Sequence, residues 1–221
     1  MIPGWLSGCG KCSQRAGADL GYLLYLLVCT LLSVDTSERL IASTRELLWE
    51  RGYGATSPKA IQERAQAGQG SMYHHFSGKP ALALAAIRRS ADELIATVEG
   101  ELTASGTALS RIEAYLLRER KVLRGCPIGR LAQDTEIVHN EDLRAPLAET
   151  FEWLRARLAA LITQGQADGE FNAGLDPAAV AAALVSVLQG SYVQARAAAS
   201  TDPFDLAISG ILALLSPPEG N

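Results

Sequence analysis

Little in this sequence favours β-structure. Aromatic residues make up only 6% of its 221 positions, and no stretch alternates apolar and polar residues over the length of a strand. Cysteine is scarce at four residues, too few for a secreted disulfide scaffold, which places the chain in a reducing compartment and, as an expectation, in the cytoplasm. Histidine is scarcer still at three, and no two Cys/His pairs stand at zinc-ligand spacing. No internal repeat is present. What is abundant is alanine and leucine within a 48% apolar composition, which favours helix and leaves ample material for a core. The expected architecture is all-α.

The formal net charge of −4 argues weakly against a nucleic-acid partner, but the average hides an asymmetry. Residues 1–35 are neutral, residues 36–90 carry eight basic and four acidic side chains, and residues 91–221 carry ten basic and eighteen acidic. Only the middle block, at +4, suits a polyanion.

Residues 1–35 form an N-terminal extension, read as poorly structured or as an apolar helix. Leu20 to Val34 is nearly unbroken apolar sequence, but its fifteen residues fall short of the ~20 that span a bilayer. A membrane tether through residues 20–34, or an export signal with Lys11 and Arg15 ahead of it, is the minor alternative. Cys9 and Cys12 read as two free thiols.

From Thr36 the pattern becomes helical, with Thr36-Ser37-Glu38 as a cap and Leu40, Ile41, Thr44, Leu47 and Leu48 along one face. Gly52 ends that helix. Ser57-Pro58 opens the next, whose inner residues are Ile61 and Ala65, and Gln66-Ala67-Gly68 supplies a turn. A third short helix runs from Gln69 to Phe76, with Met72 and Phe76 facing Leu47 and Ile61. Two short helices about a glycine-containing turn form a helix-turn-helix, whose second helix enters the major groove. Gln69 can pair with adenine, and Ser71 with a base or a phosphate. Tyr73, His74 and Lys79 can reach phosphate oxygens.

The string Leu47-Leu48-Trp49-Glu50-Arg51-Gly52-Tyr53, then Thr56-Ser57, Ile61 and Ala65, then Gly70-Ser71-Met72-Tyr73-His74-His75-Phe76 with Lys79, resembles the DNA-binding domain of TetR-family repressors. The resemblance implies base reading by Gln69, Gly70 and Ser71. It implies backbone contacts by Tyr73, His74, Lys79, Ser57 and Lys59. One departure stands in the turn, where the family's glycine is replaced by Gln66 and glycine follows at Gly68. On this reading residues 36–78 are the DNA-binding domain and residues 79–221 a ligand-binding and dimerisation domain.

Leu82 to Val98 continue one face of a linker helix, 79–102. Further helices are expected from Leu109 to about Arg124-Gly125, from Pro127 to about His139-Asn140, and through Leu147–Ile162 to stops at Gly165 and Gly169. Asp176-Pro177 and Asp202-Pro203 open the last two. These last two, about 177–215, are apolar on several sides, and Ala182, Ser186, Gly190 and Ala197 permit close approach of a second copy. The resemblance implies a homodimer paired through them, bound to a palindromic double-stranded DNA operator and released by a small-molecule effector. Candidates for effector contact are Tyr115, Cys126, His139, Phe151, Trp153, Gln189 and Tyr192. Gly125-Cys126-Pro127-Ile128-Gly129 is similar to the Cys-Pro-x-Gly segment of a subgroup that includes the lincomycin-resistance repressor. Cys126 reads first as a small buried side chain and second as a redox-sensitive thiol. Glu136-x-x-His139 has the spacing of di-iron bundles but no second copy, so a metal or redox protein is the remote alternative. No catalytic set and no cofactor are expected.

Overall fold

The computed structural model describes residues 20–215, with side chains from Thr36 onward. Cys9, Cys12, Lys11 and Arg15 lie outside the described residues, as do the side chains of the apolar run 20–34. Among the described residues there are helices and turns and no strand.

The first helix, α1, spans Leu20–Arg51, so Thr36-Ser37-Glu38 lies inside it rather than at its start. The boundary expected between residues 35 and 36 therefore falls within a helix. The cause is simple: no glycine or proline occurs between Gly21 and Gly52, and cap-forming residues do not stop a helix that the preceding sequence favours. Gly52 ends α1 at φ +81°. Two short helices follow, α2 (Pro58–Ala65) and α3 (Gln69–His75), and then a long one, α4 (Lys79–Leu102). Leu40, Leu47, Ile61, Ala65, Met72 and Leu82 form a small core of their own beneath α1–α3, with Phe76 half-buried against it. Ile41 touches both this core and the larger one.

The larger core is built by α4, α5 (Ala108–Leu117), α7 (Glu141–Ala167), α8 (Pro177–Ala198) and α9 (Asp202–Leu215), with the four-residue α6 (Thr135–Val138) packed on α7. Caps explain most starts. Thr107 accepts from Ser110 N, Asn140 from Leu143 N, and Asp176 from Ala178 N ahead of Pro177.

Three expectations for this half need correction. The helix through Leu109 ends at Leu117, not near Arg124, because Arg120 turns back and donates to the carbonyls of Tyr115 and Leu116 at its open end. Pro127 does not begin a helix. Residues 127–130 make a turn, followed by a 3₁₀ turn at Leu131–Gln133 and then α6. Gly165 does not stop α7, which continues to Ala167. A Cβ on Gly165 would stand 2.5 Å from the Phe171 ring and 2.9 Å from Ala108 Cβ, so glycine is there to let those groups close on the helix. Gly169, at φ +76°, provides the left-handed residue just past the end.

Candidate functional site

Ser57 caps α2, accepting from Ala60 N at 3.1 Å, and Pro58 sets its first turn. The turn after α2 places Gln66 in the left-handed region, φ 50° and ψ 43°, where the resembling family has glycine. Glutamine thus adopts the glycine conformation at a strain of about 1 kcal/mol, and the turn keeps its shape. Gly68 then starts α3 without a side-chain cap. Met72 is fully buried and fixes the rotation of α3, which leaves Gln69, Gly70, Tyr73 and His74 exposed and Ser71 half-buried. A Cβ on Gly70 would meet no atom within 4 Å, so this face of α3 is open at the backbone itself. Lys79 begins α4, its ammonium 3.8 Å above the Tyr53 ring, and that helix start also lacks a side-chain cap. Free N–H groups and a cation at one helix start suit a phosphate oxygen. Lys59 is exposed on α2, 3.8 Å from Glu63.

A cavity lies where this module meets the body. It measures about 430 Å³ and is walled by Arg45, Glu46 and Trp49 of α1, by Ser90 to Glu101 of α4, and by the segment from Arg118 to Pro127. Tyr192 of α8 closes its far side. A second cavity, about 300 Å³, lies on the other side of residues 116–122, against α9. Five of the seven sequence candidates (Tyr115, Cys126, Phe151, Gln189 and Tyr192) instead surround a space of about 20 Å³, room for roughly one water. Of these only Tyr192 reaches the large cavity. His139 is exposed with Nδ1 at 2.7 Å from the Thr135 carbonyl, and Trp153 is half-buried on the main core; neither lines these cavities. Burial pushes the Tyr115 and Tyr192 hydroxyls up from the usual tyrosine range, Tyr192 to about 12, so both are neutral donors. Cys126 is buried and accepts from Gly129 N at 3.3 Å. Gly129, at the end of the Cys-Pro-x-Gly string, lies against the amide end of Gln189, which a Cβ there would displace.

Residues 40–86 match the family described as bacterial regulatory proteins, tetR family, and residues 107–211 match the tetracyclin repressor-like C-terminal domain. The transcriptional regulator AcuR of Cereibacter sphaeroides is 30% identical over 174 residues, 75% of this chain and 78% of AcuR. The chain belongs to the TetR family. A solved TetR-family regulatory protein from Rhodobacter sphaeroides superposes with a TM-score of 0.73 at 27% identity, covering 80% of this chain and 97% of that one. The reduced form of Escherichia coli NemR shares the fold, with a TM-score of 0.74 at 23% identity over 84% of this chain and all of NemR. This TetR-family protein is thus a DNA-binding transcriptional regulator with an N-terminal helix-turn-helix and a C-terminal ligand-binding domain. Its relatives are regulators, not enzymes. Among the described residues no group of three His, Cys, Asp or Glu could hold a metal.

Sequence reasoning missed how this TetR-family regulator joins its two parts. The Trp49 indole N–H donates to the Gly125 carbonyl at 2.9 Å, Arg124 stacks on the same ring at 3.8 Å and pairs with Glu46, and Arg130 donates to the Trp49 carbonyl. Asp134 does two jobs. One oxygen caps α6, accepting from Glu136 N and Ile137 N, and the other accepts from Tyr53 N at 2.7 Å and from Gly54 N. Gly52 and Gly54 permit this, since a Cβ on either would come within 2.8 Å of the Asp134 or Glu136 carboxylate. Asp134→Ala should lower unfolding free energy by ~2 kcal/mol, a lost cap plus an orphaned Tyr53 N–H. Asp134→Asn, which keeps one acceptor, should fall between it and the wild type in urea titration. The only early signal was an Asp-Thr-Glu start at 134–136, legible as a cap but not as a link to Tyr53.

Proposed function

We propose that this regulator is a homodimeric repressor whose two helix-turn-helix modules sit in successive major grooves of a palindromic operator, and that a small molecule in the 430 Å³ cavity releases it. The observation that carries the reading is the position of that cavity: α1 of the reader forms one wall, α4 another, and residues 118–127 of the body a third. A ligand there must alter the angle between reader and body, and linkage then requires that operator weaken ligand binding by the same factor. The volume lies in the ~300–1,000 Å³ range of small-molecule sites. Tyr115 and Phe151 border a neighbouring space of about 20 Å³ that shares Leu94, Arg118 and Tyr192 with the larger cavity.

In the DNA complex, Gln69, Gly70 and Ser71 face bases, while Tyr73, His74, Lys79, Ser57 and Lys59 hold the sugar-phosphate backbone. Exposure of Gln69, Gly70, Tyr73, His74, Ser57 and Lys59 on one module supports this division. Lys79→Ala and Tyr73→Phe should weaken binding to every duplex alike, and Lys79→Ala should reduce the salt slope by about 1. Gln69→Ala should relax discrimination at one base pair by ~1–3 kcal/mol. Fluorescence anisotropy against operator and random duplex over a salt series separates the two classes. Equal losses on both duplexes for all three variants would overturn the assignment. The pairing of subunits is assigned to α8 and α9, whose open faces carry Val193, Leu206 and Leu214. With operator and effector inside the cell, the protein is read as cytoplasmic.

A further inference from the structure

Residues 118–121 read Arg-Glu-Arg-Lys and run as an extended strip between the two large cavities. Most charges near the larger cavity are already matched. Arg45 pairs with Glu93, Arg124 with Glu46, and Arg118 lies 3.5 Å from Glu101. Arg120 and Lys121 are the exceptions: among the described residues no carboxylate lies within ion-pair distance of either, and of the two Arg120 is half-buried while Lys121 is exposed. The terminal nitrogens of Arg120 donate to main-chain carbonyls of Tyr115, Leu116 and Arg118, while its Nε is buried with no partner at all. Oε2 of Glu101, beside Arg118, is also buried without a hydrogen bond. Glu101 acts on Arg120 only at longer range; a guanidinium withdrawn from water with no carboxylate in contact is unfavourable, and its fork is shaped for one.

We propose that the cavity takes a small organic acid whose carboxylate binds Arg120, with Arg118 alongside, and whose apolar body lies against Trp49, Leu94 and Tyr192. The inference rests on reading this cavity as the effector site and adds the chemical class. The surroundings favour a monoanion over a phosphate. Glu46, Glu93, Glu101 and Glu119 all border the same space, and a dianion would meet their repulsion. Burial draws the Arg120 guanidinium down from the usual arginine range, as a group awaiting a counter-ion should be, yet it remains protonated. The acid's body would touch Trp49 on α1 and Leu94 on α4, the two helices whose angle sets the reader.

The test uses isothermal titration of the full-length protein with butyrate and benzoate and with their neutral isosteres, butyramide and benzamide. At least one acid should bind about tenfold or more tightly than its amide, a margin of ~1.4 kcal/mol. That preference should vanish in Arg120→Gln and return in part in Arg120→Lys. Because Arg120 also holds the end of α5, circular dichroism must show native helicity in each variant. Arg118→Gln, which disturbs none of those carbonyls, provides a second probe and should reduce the preference several-fold. Failure of both acids to bind, acids no better than amides, or a preference that survives Arg120→Gln in folded protein would each overturn the proposal. Acids that bind without displacing operator would leave the acid site standing and remove the release mechanism. Amides that bind and displace operator where acids do not would do the reverse.

Discussion

Gly70→Leu is expected to abolish operator recognition while leaving the protein at least as hard to unfold. Gly70 sits in the first turn of α3, and a Cβ built there meets no protein atom within 4 Å. Leucine also favours helix over glycine by somewhat less than ~1 kcal/mol, which corresponds to a rise of ~2–4 °C at most in melting temperature for a chain of this size. Within the single chain, then, the substitution should be neutral or stabilising. The missing side chain matters only if something must come close to the α3 backbone, and the duplex is what comes close in the proposed complex. Four extra carbons there would hold α3 away from the groove and remove several base and phosphate contacts at once. A loss on the order of 100-fold or more follows at ~1–3 kcal/mol for each base pair no longer read. Gly70→Ala should lie between leucine and the wild type. Paired thermal melts and anisotropy titrations check both halves of the expectation. Unchanged operator affinity in a well-folded Gly70→Leu protein would mean that another face of the module meets DNA.

The reader was legible in sequence because its parts are local. Ser57-Pro58 announces α2, Met72 and Phe76 mark the inner side of α3, and the exposed residues follow from the same 3.6-residue period. Likewise Asp176-Pro177 opens α8 where expected, since a cap is decided by two or three consecutive residues. Gln66 shows the limit of this reasoning in one direction. Its left-handed conformation violates the local preference, and packing of Ile61, Ala65 and Met72 in one small core holds it there. Thr36-Ser37-Glu38 shows the limit in the other: two good cap residues and an acidic neighbour remain inside α1 because the preceding sequence is itself helix-forming. The cavity was not legible, for a different reason. Its walls come from α1, α4, residues 118–127 and α8, and no local pattern announces that Trp49, Arg120 and Tyr192 converge. Phe151 and Trp153 are half-buried against the core, and Phe151 also borders the small space beside the large cavity. The charged run at 118–121 falls inside the helix expected to end near Arg124-Gly125. It is instead the part of the chain that lines both large cavities.

Placing arginine at Leu206 or Leu214 should convert the protein to monomers and cost it the operator. These two leucines are 75% and 81% exposed on α9, eight residues apart and hence on one face, with Gly210 between them. On α8 the side carrying Ala181, Leu184, Leu188, Tyr192 and Ala195 is buried within the chain. Its other side presents Ala183, Ser186, Val193 and Ala197, with Gly190 half-buried among them. Neither Gly190 nor Gly210 has any atom within 4 Å of where a Cβ would stand. An apolar face built from small residues and two projecting leucines is costly to leave in water, and the bundle of one chain does not cover it. A second copy, related by a twofold axis, would set leucines against the small-residue stripe and complete a four-helix layer. Arginine there would bury unpaired charge in the dimer but would be solvated in the monomer, so single chains should retain native circular dichroism. A monomer meets one half-site at a time and loses the avidity of two linked readers, a factor of ~100 or more in operator affinity. Light scattering after size exclusion, with anisotropy on the same fractions, reads both effects together. If both arginine variants remain dimeric, the subunits pair through some surface other than α8 and α9. If they are monomeric yet bind operator as tightly as the wild type, the two half-sites are not read together, and twofold recognition must be given up.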